Sequence, residues 1–265
     1  MSRTDLLDRT LVGLSGRARW FLLAEDAPDR AGFLQAVAPS VKLAGLVALV
    51  ALTVTRRDLQ GVAALAALAG GLALVSRVPA RAFASRVAGP PAFALVAVAP
   101  QTLLMGGPTL GGTPFSAAGV GYVAVFTARV AVCVAFLSLL LLTTRFSDLL
   151  GGLARLRAPA IAVSLLAITY RYLLLFFAEL ERMARARRSR TVAEPDLRRT
   201  WRDSGNFLGT FLLRSVERGE RVERAARARG GGGGPRPTAG RTPLGRADAA
   251  FALVVLAAVV GVGLA

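Results

Sequence analysis

The run PAIAVSLLAITYRYLLLFFAEL, residues Pro159 to Leu180, is long enough to cross a bilayer as a helix, and whether it does so decides the layout of everything that follows it. Arg171 sits in its middle, and the basic stretch ERMARARRSRT (Glu181 to Thr191) follows at once. Upstream, Arg145, Arg155 and Arg157 are basic too. Positive residues close to membrane segments tend to stay in the cytoplasm. A segment with cytoplasmic charge at both ends cannot cross once. Pro159 to Leu180 is therefore expected to lie along the membrane surface, or to dip in and return, with Arg171 reaching the interface; a true crossing is the alternative.

Composition supports a membrane setting for the rest. With 54% hydrophobic and only 18% charged residues over 265 positions, the chain is more apolar than an ordinary soluble domain, in which charge is about one quarter. Four further runs of roughly spanning length precede the quoted one: 38–55, 59–76, 88–106 and 119–142. A fifth, 247–265, closes the chain. The N-terminal arm (Arg3, Arg9, Arg17, Arg19, Arg30) and the 77–86 loop are basic, whereas the 107–118 loop carries no charge. These charges predict a multi-pass protein of the cell membrane with a cytoplasmic N-terminus and an external C-terminus. Arg56 and Arg57, in the short turn between the first two spans, run mildly against that scheme. The expected fold class is all-α, with about five transmembrane helices and a cytoplasmic domain of amphipathic helices. The expected divisions are 1–37, a cytoplasmic N-terminal arm; 38–144, transmembrane helices one to four; 145–235, a cytoplasmic and interfacial domain; and 236–265, a linker and the last transmembrane helix. MSRTDLLDRT at the start lacks an apolar core, so no cleavable signal peptide is expected.

Residue usage narrows the chemistry. There is no His and a single Cys, Cys133, between Val132 and Val134. No intrachain disulfide can form, and the commonest metal ligand and proton shuttle are absent. No catalytic residue, metal site or bound cofactor is expected.

The charged segment has a pattern of its own. Between Glu179 and Gly230 lie 14 Arg and eight acidic residues. Glu217 to Arg221, Glu220 to Arg224 and Glu223 to Arg227 are each Glu followed four residues later by Arg, the favourable order on a helix surface. Leu212, Val216, Gly219, Val222 and Ala226 recur on another face. ERVERAARARG (Glu220 to Gly230) repeats ERMARARRSRT almost word for word, with Glu, Arg and Ala shared at corresponding places.

APSVKLAG, TTRFSDLLGGLARLRAP, TYRYLLLFFAELERMARARRSRT and LGTFLLRSVERGERVERAARARG together resemble the transmembrane T component of energy-coupling factor transporters, most closely the cobalt/nickel branch called CbiQ. The resemblance runs over most of the chain. It implies two cytoplasmic coupling helices, each ending in an Ala-Arg-Gly type motif that contacts one of a pair of ABC ATPase subunits. The second motif is complete as Ala228, Arg229 and Gly230. The first is Ser189, Arg190 and Thr191, where the β-branched Thr191 resists the left-handed backbone that Gly permits. The resemblance also implies a separate substrate-binding membrane subunit as partner, with ATP and Mg held only by the ATPases. Leu165, Leu166, Leu173, Phe176 and Phe177, with Tyr170, Arg171 and Tyr172 as interfacial anchors, are the residues expected to touch that subunit. The bilayer is the remaining partner.

Blander readings stand beside these. Arg190 and Arg229 are two among many arginines. Arg129, central in the fourth run, is either functional or bonded to backbone carbonyls between helices. Pro90, Pro91 and Pro100 are expected to kink the third span for packing. A membrane-anchored nucleic-acid binder or scaffold would account for clustered Arg, but interleaved acidic residues and the few aromatics argue against nucleic acid as a partner. An integral membrane enzyme would need acid and base groups that no span supplies.

Overall fold

The computed structural model describes residues 32–106, 108, 116–190, 197–230 and 245–264, and every extended regular element among them is a helix. Eight helices are named here: α1 Pro39–Thr55, α2 Leu59–Val75, α3 Ala80–Val98, α4 Ala117–Thr143, α5 Phe146–Arg155, α6 Ala160–Arg190, α7 Leu197–Ala228 and α8 Arg246–Leu264. Single helical turns, Phe33–Ala36 and Gln101–Leu104, precede α1 and follow α3. The five runs expected to span are thus all helical. Ala80–Leu104, Ala117–Thr143 and Ala160–Arg187 are long and apolar enough to cross a membrane, and Pro39–Thr55 and Leu59–Val75 are shorter apolar helices. The protein is a polytopic all-α membrane protein.

Local chemistry sets the boundaries. Pro39 opens α1 at a position where its missing N–H costs nothing. Asp58 caps α2, its carboxylate accepting from the Gly61 amide. At the other end of α2, Arg77 takes a φ of 50° and Val78 donates to the Ala73 carbonyl, the left-handed closure usually given to Gly. Arg157, φ 62°, ends α5 in the same way. Ser116 caps α4 by accepting from the Gly119 amide. Pro90 and Pro91 lie inside α3, which is continuous to Val98 before Pro100 starts the next turn.

Two compact units result, α1 to α5 with α8 in one and α6 with α7 in the other. In the first, α4 is central and packs on α1, α2 and α3. Leu46 and Leu49 of α1, Val62, Leu65 and Ala69 of α2, Val132, Phe136 and Leu139 of α4, and Phe251 of α8 form its core. Two close approaches depend on Gly. A side chain at Gly152 would lie 3.0 Å from the Pro39 carbonyl carbon and the Ser40 nitrogen, so α5 crosses directly over the start of α1. One at Gly45 would lie 2.5 Å from the Phe251 ring.

The lengths of α1 and α4 differ in a consequential way. Lys42, one turn into α1, is bonded to Thr143 and Thr144 at the end of α4, and the carbonyl of Arg56, just beyond α1, accepts from Arg129 halfway along α4. The two helices are therefore antiparallel, and the α1–α2 turn reaches only to the middle of α4.

The second unit corrects part of the sequence expectation. Pro159 to Leu180 does not dip in and return. Ala160–Arg190 is one unbroken helix of 31 residues, about 46 Å long, and a re-entrant path would need a break in it. Its apolar residues are not confined to one stripe, since Ile161, Leu165, Leu166 and Ile168 are all exposed.

Candidate functional site

Helices α6 and α7 form an antiparallel hairpin. The Phe176 ring meets Phe211 edge to face, with centroids 6.0 Å apart. One turn on, the Glu179 carboxylate accepts from Arg214 at 3.1 Å while also pairing with Arg182 at 3.3 Å. Nearer the connection, Arg187 donates to the Ser204 hydroxyl at 3.5 Å. Glu179 is the less exposed partner in both of its ion pairs, so this two-arginine clasp is better shielded from screening than an isolated surface pair.

This pairing decides where the repeated motifs go. Each stands at the C-terminus of its own helix, so an antiparallel pair puts them at opposite ends. Ser204 marks the level of Arg187, and Arg229 lies 25 residues further along, which at 1.5 Å per residue is about 40 Å. Ser189 is exposed and its hydroxyl turns back to the Ala186 carbonyl. Arg190 is the last residue of α6, and Thr191 lies outside the described residues. At the other end, Ala228 closes α7, Arg229 is exposed, and Gly230 takes a φ of 78° with its amide on the Arg227 carbonyl. That left-handed geometry is the physical reason for Gly at the third position.

The three Glu-to-Arg pairs expected on α7 are formed: Glu217 with Arg221 and Glu220 with Arg224 at 3.9 Å each, and Glu223 with Arg227 in closer contact. On exposed helix surfaces such pairs are worth only a few tenths of a kcal/mol, about 0.3–0.5. Leu208, Leu212, Leu213 and Val216 are exposed on the same helix, Leu212 by 64%.

Of the residues expected to meet a substrate subunit, Leu165, Leu166 and Arg171 are exposed, whereas Tyr170, Tyr172, Leu173 and Phe177 are half-buried. Phe176 is held within the hairpin, between Tyr172 at 6.2 Å and Phe211. The side chain of Arg129 donates to the Arg56 carbonyl at the end of α1, which is the carbonyl-bonding reading of this residue.

The sequence reading missed a second polar cluster. Lys42 is 1% exposed, and its Nζ donates to the Thr143 carbonyl at 3.1 Å and the Thr144 hydroxyl at 2.8 Å. Asp148 and Asp248 are near enough to act on its charge. Asp248 is itself buried in the first turn of α8 and accepts from the amides of Ala38, at 2.6 Å, and Gly245, at 2.7 Å. The start of α1 is thereby tied both to the end of α4 and to a helix 210 positions away. The signal available in the sequence was that the chain's lone Lys stands inside an apolar run. At the opposite end of α1, the Asp58 carboxyl is held below the usual carboxylate range by the Gly61 amide first, and by Arg56 as well. Among the described residues, no group of three or more Cys, Asp or Glu side chains converges in a way that could hold a metal ion.

The model of the CbiQ cobalt transport protein family matches residues 31–239, which take in α1 to α7. A cobalt transport protein CbiQ of Rhodobacter capsulatus is 29% identical over 156 residues, 59% of this chain and 62% of that one. An uncharacterized protein of Methanocaldococcus jannaschii is 29% identical over 112 residues, 42% of this chain and 38% of its own length. The chain thus spans less than two thirds of either relative. With the family match covering most of the sequence, the chain belongs to the CbiQ family of cobalt transport proteins.

Proposed function

We propose that the chain is the membrane coupling subunit of an energy-coupling factor importer, joining a pair of ABC ATPases to a separate substrate-binding membrane subunit for cobalt or nickel uptake. The observation that carries this reading is the hairpin whose two helices end, at opposite ends, in related basic stretches. Two ATPase subunits need two such contacts, set apart on one stiff body. A guanidinium suits the task because it keeps its charge through the cycle and binds carboxylates or helix-end carbonyls in fork geometry. On this reading ATP and Mg are bound by the ATPases, the chain catalyses nothing itself, and cargo is coordinated by the substrate subunit. The relative from Rhodobacter capsulatus, named a cobalt transport protein, favours cobalt.

The placement of α6 at the cytoplasmic membrane surface follows the same logic. Its partner α7 is charged along most of its length, with Arg214, Glu217, Arg221, Glu223 and Arg227 all exposed. Such a helix cannot enter hydrocarbon, where each Arg at depth costs at least about 2.5 kcal/mol. A helix clasped to it at Phe176 and Glu179 is held near the headgroups, leaving Leu165 and Leu166 to face an apolar partner.

The test is charge reversal at both ends. Arg190→Glu and Arg229→Glu are each expected to leave the protein in the membrane but weaken ATPase copurification, by the roughly 2–5 kcal/mol lost when a buried interfacial charge pair is broken. The double variant is expected to abolish uptake. Normal assembly and transport by the double variant would refute the coupling role.

A further inference from the structure

The chain leaves the helical core after Arg157 and comes back to it at Thr238, so the α6–α7 hairpin is joined to the core through α5 on one side and α8 on the other. Both of these helices are fastened at one place, the start of α1. Asp248, in the first turn of α8, accepts from the Ala38 amide on one carboxylate oxygen and from the Gly245 amide on the other. One turn along α1, about 6 Å from Ala38, Lys42 donates to the Thr143 carbonyl and the Thr144 hydroxyl. Those two residues lead through Arg145 directly into α5. Asp148, in the first turn of α5, acts on the Lys42 charge together with Asp248. Further along, α5 passes so close to α1 that a side chain at Gly152 would strike the Pro39–Ser40 peptide. Between Arg155, the last residue of α5, and Ala160, the first of α6, only four residues intervene, and one of them is Pro159 with its fixed φ. A displacement of α6 therefore reaches α5 with little slack.

Stability alone is a poor reason for such a cluster. Lys42 and Asp248 are both buried, and taking opposite charges out of water costs about as much as their attraction returns, so apolar residues of similar size often serve a core as well or better. What a buried charge does supply is a fixed register between the elements that it joins. We infer that Lys42 and Asp248 are positioning residues for the coupling action, joining the starts of α1, α5 and α8 into one block through which the hairpin moves the core. The inference rests on the coupling role proposed above. With both residues in place, a shift that reaches α5 is carried to α1, α4 and α8 together. Without them α5 can slide over the Pro39–Ser40 backbone, since Gly152 has no side chain to catch on it, and the shift is lost within the core.

The experiment uses the whole complex, purified from native membranes through a tag on this chain and placed in vesicles, with cobalt and nickel each supplied. It reads metal uptake per ATP hydrolysed, a ratio that a smaller amount of folded complex does not change. Lys42→Met is expected to hydrolyse ATP as the parent does while the ratio falls about fivefold, the factor for ~1 kcal/mol of lost fastening. Thr144→Val removes only the hydroxyl acceptor and should lower the ratio about twofold, for ~0.5 kcal/mol. Should Lys42→Met fail to assemble, Thr144→Val decides. Val62→Ala, buried in α2 near the opposite end of α1, loosens the core elsewhere and should leave the ratio unchanged. Lys42→Met combined with Asp248→Asn removes the unpaired charge and regains stability, yet its ratio should stay low. An unchanged ratio in Lys42→Met and Thr144→Val, an equal fall in Val62→Ala, or a ratio restored along with stability in the double variant would each overturn the inference. A parent complex with which no ATPase copurifies would refute the coupling role itself, and this inference with it, before any variant is made.

Discussion

Replacing Gly45 with Ala adds a single methyl group at the point where α8 rests on α1. The new Cβ would stand 2.5 Å from Cε1 of Phe251 and 3.0 Å from a methyl of Val255. Carbon atoms settle at about 3.5–4.0 Å, so the ring has to withdraw by at least ~1 Å. Phe251 is fully buried, so the ring can withdraw only by shifting its neighbours or by moving into the groove that it lines. Overpacking of this kind costs about 1–3 kcal/mol, and the hydrophobic effect cannot offset it where lipid is as apolar as the core. Phe251→Leu alone removes part of a buried ring and should cost about 1–3 kcal/mol. The double variant is expected to be more stable than the sum of the two costs predicts, with a coupling of at least ~1 kcal/mol, because the smaller side chain makes room for the methyl. The assay is loss of helicity by circular dichroism as SDS is titrated into mixed micelles, for the parent, both single variants and the double variant. Costs that add to within about 0.5 kcal/mol, or a neutral Gly45→Ala, would refute the claim that Gly45 is required by close contact with Phe251.

Lys42→Met keeps the length of the side chain but leaves the Thr143 carbonyl and Thr144 hydroxyl without their donor. The same titration should show a loss of about 1–3 kcal/mol, with Asp248→Asn in the same chain recovering part of it. On the proposed coupling role, replacing Leu173 and Phe177 with Glu should reduce recovery of the proposed substrate subunit while sparing that of the proposed ATPases, read by two-way copurification from one membrane preparation; the reverse pattern would place α6 on the energy side. In a chain with Cys133 replaced by Ala, Gly151→Cys and Gly205→Cys should both react with an impermeant thiol reagent only from the cytoplasmic side, and labelling from opposite sides would mean that α6 crosses the membrane. Because the Asp58 carboxyl is held below its ordinary range, its hold on the start of α2 is complete above pH ~4 and is lost as pH falls through the folded value. The protection of the Gly61 amide, its exchange rate corrected for the intrinsic pH dependence, should therefore fall on acidification, and Asp58→Asn should remove that fall.

Much of the fold could be read from local patterns. Apolar runs of spanning length gave α1 to α4 and α8, though not α5, because a helix is the only way to satisfy a backbone in lipid without a barrel. The Glu-to-Arg spacing gave α7, because side chains four apart are neighbours on a helix whatever surrounds it. Contacts between distant residues were another matter. Nothing around Lys42 announces Thr143, and nothing around Asp248 announces Ala38, because such pairs are fixed by which helix packs where. The motif residues were legible by their repetition. Their separation was not, since it follows from the hairpin in which Arg187, near the end of α6, meets Ser204, near the start of α7. Of the two paths expected for Pro159 to Leu180, along the surface or dipping in and back, the unbroken helix fits only the first, because charge counting constrains where the ends of a segment lie and says nothing about a break between them.

The shortness of α1 and α2 has a consequence for the lipid around them. Each has 17 residues, about 25 Å, while the hydrocarbon layer is about 30 Å thick, and their connecting turn carries Arg56, Arg57 and Asp58 no further than the midpoint of α4. Beyond that turn, α4 continues for twelve more residues towards its start at Ala117, a further ~18 Å. One flank of the protein therefore matches a full bilayer and the other does not. Lipids beside the short flank must shorten or splay to keep water and headgroups in reach of three charged side chains, at a fraction of a kcal/mol for every ångström of mismatch. The shorter flank is thus expected to impose a dimple on the membrane on that side. A neighbouring membrane protein that has to tilt would find there a bilayer already bent, and its own deformation of the lipid would cost correspondingly less.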